Sequence, residues 1–268
     1  MKIFICVDFE GMPSVNDWSD VTAGNPEYER VRVIATDIVA TACKSAIDAG
    51  ATEIWVKDAH DTARNILPEM LPNKTKLVRG WTECPNGMIA AIDNKFDGIV
   101  FLGMHSENGN GANPLSHTIM PNVIDEIKID GVCVGEFEIY SRLAKCYGVP
   151  TILLVGDEGL TSRYSDKLPT VSTFKGIGGA TVMIKTIAEC KAEIVAAMKV
   201  AIGGLKRSKA RKTDFGKDVE LLIKYVNHKD CYKASFYPNS MKLDDRTVKI
   251  NCPNYFEIMR TLLFLKKI

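Results

Sequence analysis

The chain has 268 residues, 46% hydrophobic and 25% charged, a balance ordinary for a globular enzyme of one large domain or two smaller ones. A formal charge of +1 argues against an extended nucleic-acid or membrane footprint. Eight scattered cysteines form no CxxC pair, which excludes a zinc ribbon or thioredoxin motif. The first residues run straight into a strand pattern and no 18-residue apolar stretch occurs, so neither a signal peptide nor a membrane span is expected, and a reducing cytoplasm is the expected compartment.

Residues 2–7 read as a short buried strand. Residues 28–49 carry helical spacing at Val31, Ile34, Ile38 and Ala42, with Gly50 placed to end the helix. Strands are expected at 53–56, 76–78 and 99–102, with short helical pieces at 65–70 and 87–94. Asp130-Gly131 marks a hairpin within 127–134. A helix over 135–147 is broken by Gly148-Val149-Pro150, and residues 151–155 form a further strand, followed by one over 171–174. Beyond these lie an apolar helix over 188–202, a basic run over 206–212, strands at 219–226 and 248–250, and a terminal helix over 255–265. The basic run reads as a solvated helix end or linker rather than a nucleic-acid patch. The expected fold class is α/β: an open, mostly parallel sheet flanked by helices in a catalytic domain of residues 1–175. Residues 176–268 are expected to form a smaller α+β domain serving assembly and active-site closure.

Three of the four histidines fall at predicted strand exits or in a glycine-rich loop. The blocks are Val7-Asp8-Phe9-Glu10-Gly11, Lys57-Asp58-Ala59-His60 and Leu102-Gly103-Met104-His105, followed by Ser116-His117-Thr118 and Gly135-Glu136. Ligands of open α/β sheets gather beyond the carboxyl ends of the strands, and a spacing of two lets Asp8 and Glu10 aim at one point. Singly, each block reads more simply as a turn, a strand edge or, for Glu136, an acid favoured by a helix dipole. Jointly, Asp8, Glu10, His60, His105 and Glu136 exceed the three protein ligands of one catalytic zinc. The surplus fits a two-metal centre bridged by a carboxylate, for which Asp8, first off its strand, is the choice. Two imidazoles favour zinc over magnesium, with manganese or cobalt able to substitute. His117 reads either as a further ligand or as a catalytic acid, base or oxyanion partner. Asp58 reads as an orienter of His60 or as an ordinary loop acid. His228 has no such context and reads as structural.

In this order and approximate spacing the blocks resemble the zinc-dependent D-aminopeptidases of the bacterial dipeptide-transport operon type. That family opens with Ser-x-Asp-x-Glu-Gly; here Cys6-Val7-Asp8-Phe9-Glu10-Gly11 departs at the first position and keeps both carboxylates. Lys175 and Ala180 also match, and the resemblance extends over essentially the whole chain. It implies two zinc ions per chain held by Asp8, Glu10, His60, His105 and Glu136, with His117 catalytic. For His117 the family implies a nucleophile-type role; an acid–base or intermediate-stabilising role is physically better founded, because a metal-activated hydroxide is already a nucleophile. Ring-shaped homo-oligomers, decamers with an internal chamber, are implied as well.

The expected function is therefore a cytoplasmic metallo-aminopeptidase that cleaves short peptides with an amino-terminal D-residue, such as D-Ala-D-Ala. Glu107 and Asp58 are candidates for the acid that holds the substrate amine. The rivals are another two-metal amide or phosphoester hydrolase, for which Arg64 and Arg79 are the available cations, and a non-catalytic metal-stabilised assembly protein.

Overall fold

The computed structural model describes residues 1–205 and 212–266, so most of the basic run lies outside the described residues. The first half runs β1 (Lys2–Val7), α1 (Trp18–Val21), α2 (Pro26–Asp48), β2 (Glu53–Asp58), β3 (Thr75–Val78), β4 (Gly98–Met104), β5 (Ile124–Ile129), β6 (Val132–Cys133), α3 (Glu136–Cys146) and β7 (Thr151–Gly156). It continues through α4 (Glu158–Ser162), β8 (Thr170–Ser172), β9 (Phe174–Gly178), β10 (Thr181–Ile184), α5 (Ile187–Gly203), β11 (Val219–Tyr225), α6 (His228–Ala234), β12 (Ser240–Lys242), β13 (Thr247–Cys252) and α7 (Tyr255–Leu265).

Six strands form a parallel sheet in the order β3-β2-β1-β4-β7-β8. The order reverses between β1 and β4, and such a switch point opens a crevice at the carboxyl ends of the strands. Side chains alternate across the sheet as strand geometry requires. Ile3, Ile5 and Val7 face Val31, Ile38 and Ala42 of α2 and Ile194 and Met198 of α5. Phe4 and Cys6 face the opposite way, into a core shared with Phe137 and Leu143 of α3 and Ile258 and Leu262 of α7. With both faces covered, the strands read as unbroken apolar runs rather than alternating ones. Helix α2 starts at Pro26, whose fixed φ suits a first helical position, and stops before Gly50.

The second sheet is antiparallel, in the order β12-β13-β11-β5-β6. Its Ile127 and Ile223 are buried in the core shared with α3 and α7. Asp130 and Gly131 (φ 53° and 79°) make the two-residue turn between β5 and β6, as the sequence pattern predicts. The division expected near Lys175 does not separate the two sheets. Strand β5 belongs to the antiparallel sheet, paired with β11, and α5 packs on α2 and β7 of the parallel one. Local hydrophobic pattern shows where strands are, not which sheet they join. The helices expected at 65–70 and 87–94 shrink to 3₁₀ turns, Pro68–Met70 and Gly87–Ile89. Asn65 and Ile66 direct their backbone N–H groups to the Asp58 carboxylate, which competes with helix.

Candidate metal centre

The exits of β1 and β4 are stitched together. Asp8 N donates to Leu102 O at 2.9 Å and Gly11 N to Gly103 O at 2.8 Å. The approach is too close for side chains at two positions. A Cβ on Gly11 would run into the Met104 carbonyl, and one on Gly103 (φ 77°) into the Asp8 carbonyl. Glycine at both sites thus lets Asp8 and His105 leave adjacent strands against one another.

Two buried aspartates shape the loops that carry the other donors. Asp58 accepts from Ile66 N (2.8 Å), from Asn65 N and from Asn65 Nδ2 (2.9 Å); Asn65 Nδ2 also donates to His60 O at 2.7 Å. Asp58 therefore holds the His60 loop by its backbone and does not touch the imidazole. Asp157, at the end of β7, does the same for the loop before His117. It accepts from Ser106 N (2.6 Å), Ser106 Oγ (2.7 Å) and Asn113 Nδ2 (3.1 Å), and Asn113 also donates to Glu10 O at 3.0 Å. Sequence reading missed Asp157, although its signal, an acid closing an apolar strand run, is the one that marked Asp8 and Asp58. The amine-binding candidates fare poorly. The Asp58 oxygens are spent on its loop, and Glu107 is tied bidentately to Arg163 at 3.0 and 2.6 Å.

Each of the three site histidines has one ring nitrogen fixed by a backbone carbonyl. His60 Nε2 lies 2.7 Å from Val21 O, His105 Nδ1 2.9 Å from Ser106 O, and His117 Nδ1 2.9 Å from Leu115 O. A carbonyl only accepts, so these nitrogens carry the hydrogens and the opposite ones present lone pairs in the neutral ring. Those lone pairs point at carboxylates. His60 Nδ1 lies 3.0 Å from Glu10 Oε2 and 3.5 Å from Asp8 Oδ1; His105 Nε2 lies 3.5 Å from Asp8 Oδ2 and 3.6 Å from Glu136 Oε1; His117 Nε2 lies 3.5 Å from Glu136 Oε1.

Two donor groups result, Asp8-Glu10-His60 and His105-His117-Glu136, each with its donor atoms within 4.8 Å of one another. Asp8 turns one oxygen to each group. Four donors at 2.0–2.2 Å around a tetrahedral ion stand about 3.3 Å apart, close to these separations. Among the described residues, Asp8 Oδ2, Glu10 Oε2 and His105 Nε2 are buried without a hydrogen-bond partner. The His60–Glu10 pair is near enough for a hydrogen bond, at 3.0 Å, but not aligned for one. Orphaned buried polar atoms cost about 1–3 kcal/mol each. One divalent cation in each group would satisfy them, Glu10 Oε2 in the first and Asp8 Oδ2 with His105 Nε2 in the second, so the residues fit a metal pair.

The electrostatics agree. Burial pulls His60 and His105 down, but the carboxylates outweigh it and hold both well above the usual histidine range, Glu10 chiefly for His60 and Glu136 for His105. Burial and the neighbouring Glu10 push the Asp8 carboxyl well up. Burial also raises Glu10, yet His60 prevails and keeps it well below the usual range. Three carboxylates packed this closely call for positive charge. His117 goes the other way: burial and the charge of His105 lower it, so it stays neutral near pH 7. Its ring stacks on His105, centroids 4.2 Å apart, and Trp18 stands edge-on to it at 5.3 Å.

A cavity of about 460 Å³ opens onto these groups, lined by Asp8, Glu10, His60, His117 and Glu136, with His105 behind them. His228 begins α6, exposed and outside this cavity. Sequence reading also missed Trp18 and Trp81 on the cavity wall, because neither belongs to a charged or glycine-rich block.

Residues 1–264 match the family model described as D-aminopeptidase. The D-aminopeptidase of Bacillus subtilis (strain 168) is 26% identical over 272 residues, which take in the whole of this chain and 97% of that protein. A solved structure, the Zn-dependent D-aminopeptidase DppA from Bacillus subtilis, a self-compartmentalizing protease, superposes with a TM-score of 0.90 at 24% identity, covering 100% of this chain and 97% of that one. That likeness shows the fold, the same pairing of a parallel with an antiparallel sheet. The family match spans nearly the whole length: this chain belongs to the D-aminopeptidase family.

Proposed function

We propose that the chain is a two-zinc aminopeptidase that removes the amino-terminal residue of short D-peptides such as D-Ala-D-Ala. One observation carries the reading: in a D-aminopeptidase family member, Asp8 offers its two oxygens to two separate groups of buried donors. Zinc is the metal because imidazole and carboxylate are mixed and because the solved relative is described as Zn-dependent. Asp8, Glu10 and His60 would hold one ion, and Asp8, His105 and Glu136 the other. Bound there, the ions supply Lewis-acid polarisation of the scissile carbonyl and an activated water.

His117 is then surplus, and that is its use. Three protein donors per ion leave an open position, which a catalytic site needs; a fourth would close it. The free Nε2 of His117 faces the cavity beside Glu136, neutral at pH 7 and fixed by Leu115 O. It accepts a proton as the tetrahedral intermediate forms and returns it to the departing amine. Glu136 Oε1 accepts from Ile119 N at 2.7 Å, which fixes the carboxylate next to that ring.

The phosphoester rival gains no support, because neither Arg64 nor Arg79 lines the cavity. No helix among the described residues is long and apolar enough to cross a membrane. A cytoplasmic site of action is our reading, supported by eight unpaired cysteines, most of them buried. Assembly into a homo-oligomer, a decamer by resemblance, draws on the self-compartmentalizing relative and on the exposed Ile177 and Met183 of the β9–β10 hairpin. Light scattering measures that mass directly.

The test is hydrolysis of D- and L-alanyl amides and D-Ala-D-Ala by zinc-loaded protein. We expect the D-substrates to be cleaved well above their L-counterparts, with amino-terminal acetylation abolishing turnover. Equal rates on L-peptides would remove the D-preference, and activity on acetylated substrates alone would remove the aminopeptidase.

A further inference from the structure

The chain contains three tryptophans, and two of them, Trp18 and Trp81, are 41% and 37% exposed while lining one cavity. Large aromatic surface left to water is held there by something. Trp18 opens α1, a short helix fixed by a capping box at Asp17 and Asp20, and its ring stands against His117. Trp81 sits on a strap latched to the His60 loop by three bonds. Its indole Nε1 donates to Asp61 O at 2.7 Å, Gly80 N to Ala63 O at 2.8 Å, and Arg79 Nη2 to Arg64 O at 3.3 Å.

Beneath the strap lies Lys57, fully buried. Its ammonium donates to the carbonyls of Asp58 and, at 3.0 Å, Gly80, and stands 4.5 Å from the Trp81 ring centroid. A buried ammonium satisfied by carbonyls and an indole face fastens the strap to β2. The two indoles are therefore both fixed at this cavity, one against His117 and the other bonded to the residue after His60. Met88, Met120, Tyr140 and Leu263 add apolar surface to a wall that also carries Glu83, Asn122 and Lys266, and methionine adapts to irregular apolar shapes. The cavity of about 460 Å³ lies in the range that holds a drug-sized ligand, far more than an alanyl side chain fills.

We propose that this wall is a specificity pocket for a bulky apolar or aromatic side chain on the amino-terminal residue, so that D-Phe- and D-Leu-type peptides are preferred over D-Ala ones. The proposal rests on the D-aminopeptidase reading. With the substrate amine and carbonyl held at the donors, the side chain leaves the α-carbon one bond away, inside the cavity that both indoles line. Burying several extra methylenes against them separates the substrates by at least tenfold, by analogy with the roughly 10–200-fold that one methylene is worth in an apolar pocket.

The experiment compares kcat/KM for D-Ala, D-Leu and D-Phe amides with the zinc-loaded full chain. The expected result is D-Leu and D-Phe amides at about tenfold or more above D-Ala amide. Assayed at saturating zinc, Trp81→Ala and Trp18→Ala should each bring the D-Phe to D-Ala ratio toward one, and Trp81→Phe should keep most of it. D-Ala amide cleaved as well as or better than D-Phe amide, or a ratio that survives both alanine variants, would overturn the pocket while leaving the D-aminopeptidase reading intact. Absence of turnover on every amide would overturn both.

Discussion

Asp58 offers a sharp test of how the site is built, because it supports His60 without touching its ring. In Asp58→Asn one carboxylate oxygen becomes an amide nitrogen that cannot accept. If the nitrogen takes the Oδ2 position, the buried N–H groups of Asn65 and Ile66 lose their acceptor. If it takes the Oδ1 position, it faces Asn65 Nδ2. Asn65 cannot turn over to relieve this, since its Oδ1 accepts from Tyr28 OH at 2.7 Å and its Nδ2 also serves His60 O. One or two stranded donors at about 1–3 kcal/mol each, with the charge assistance gone, sum to about 2–4 kcal/mol. For a chain of this size that is a fall in Tm of about 5–15 °C, read by thermal unfolding. Loosening the loop should also weaken zinc binding about 10–100-fold in a competition titration, the range for groups that orient a ligand. Unchanged Tm and zinc affinity would refute the reasoning. A variant that loses turnover but neither stability nor zinc would show that Asp58 acts on the chemistry instead.

His117→Ala should lower turnover about 10²-fold or more while leaving both ions and the fold in place, the scale of a lost acid–base group. If elemental analysis finds the ions lost, His117 is a ligand. His60→Ala and His105→Ala should instead lower metal occupancy, checked by the same analysis. Chelation should make stability depend on pH. In ion-free protein the histidine pKa values of His60 and His105 are raised, so their contribution is fully present below the unfolded value of about 6.5 and is lost as pH rises through the folded values. The Tm of chelated protein should therefore fall as pH is taken upward from about 6.5, and zinc-loaded protein should not show that fall; parallel curves would contradict this.

Most of the parallel sheet was legible because buried strands leave continuous apolar runs, and the donors follow those runs directly. Asp8, His60 and His105 stand one or two residues past β1, β2 and β4, so locating the strands located them. Glu136 was weaker in sequence, since a helix start attracts acids for its own reasons. Three-dimensional pairing removed that ambiguity by setting its Oε1 between His105 and His117. Pairing between distant segments was not legible. Nothing local tells the β5–β6 hairpin to join β11, nearly a hundred residues on, instead of the parallel sheet, and the boundary near Lys175 missed the sheet division for that reason. The supporting layer was equally hidden. Asp157 acts through Ser106 and Asn113, and Lys57 through the Gly80 carbonyl of another loop, contacts that no spacing rule anticipates.

The bridging role proposed for Asp8 is tested most directly by counting metal. Protein purified without chelator should carry about two zinc ions per chain by elemental analysis, and Asp8→Ala should lose both ions or most of the second, because the residue contributes an oxygen to each group. A single ion per chain, unchanged by Asp8→Ala, would contradict the two-metal centre.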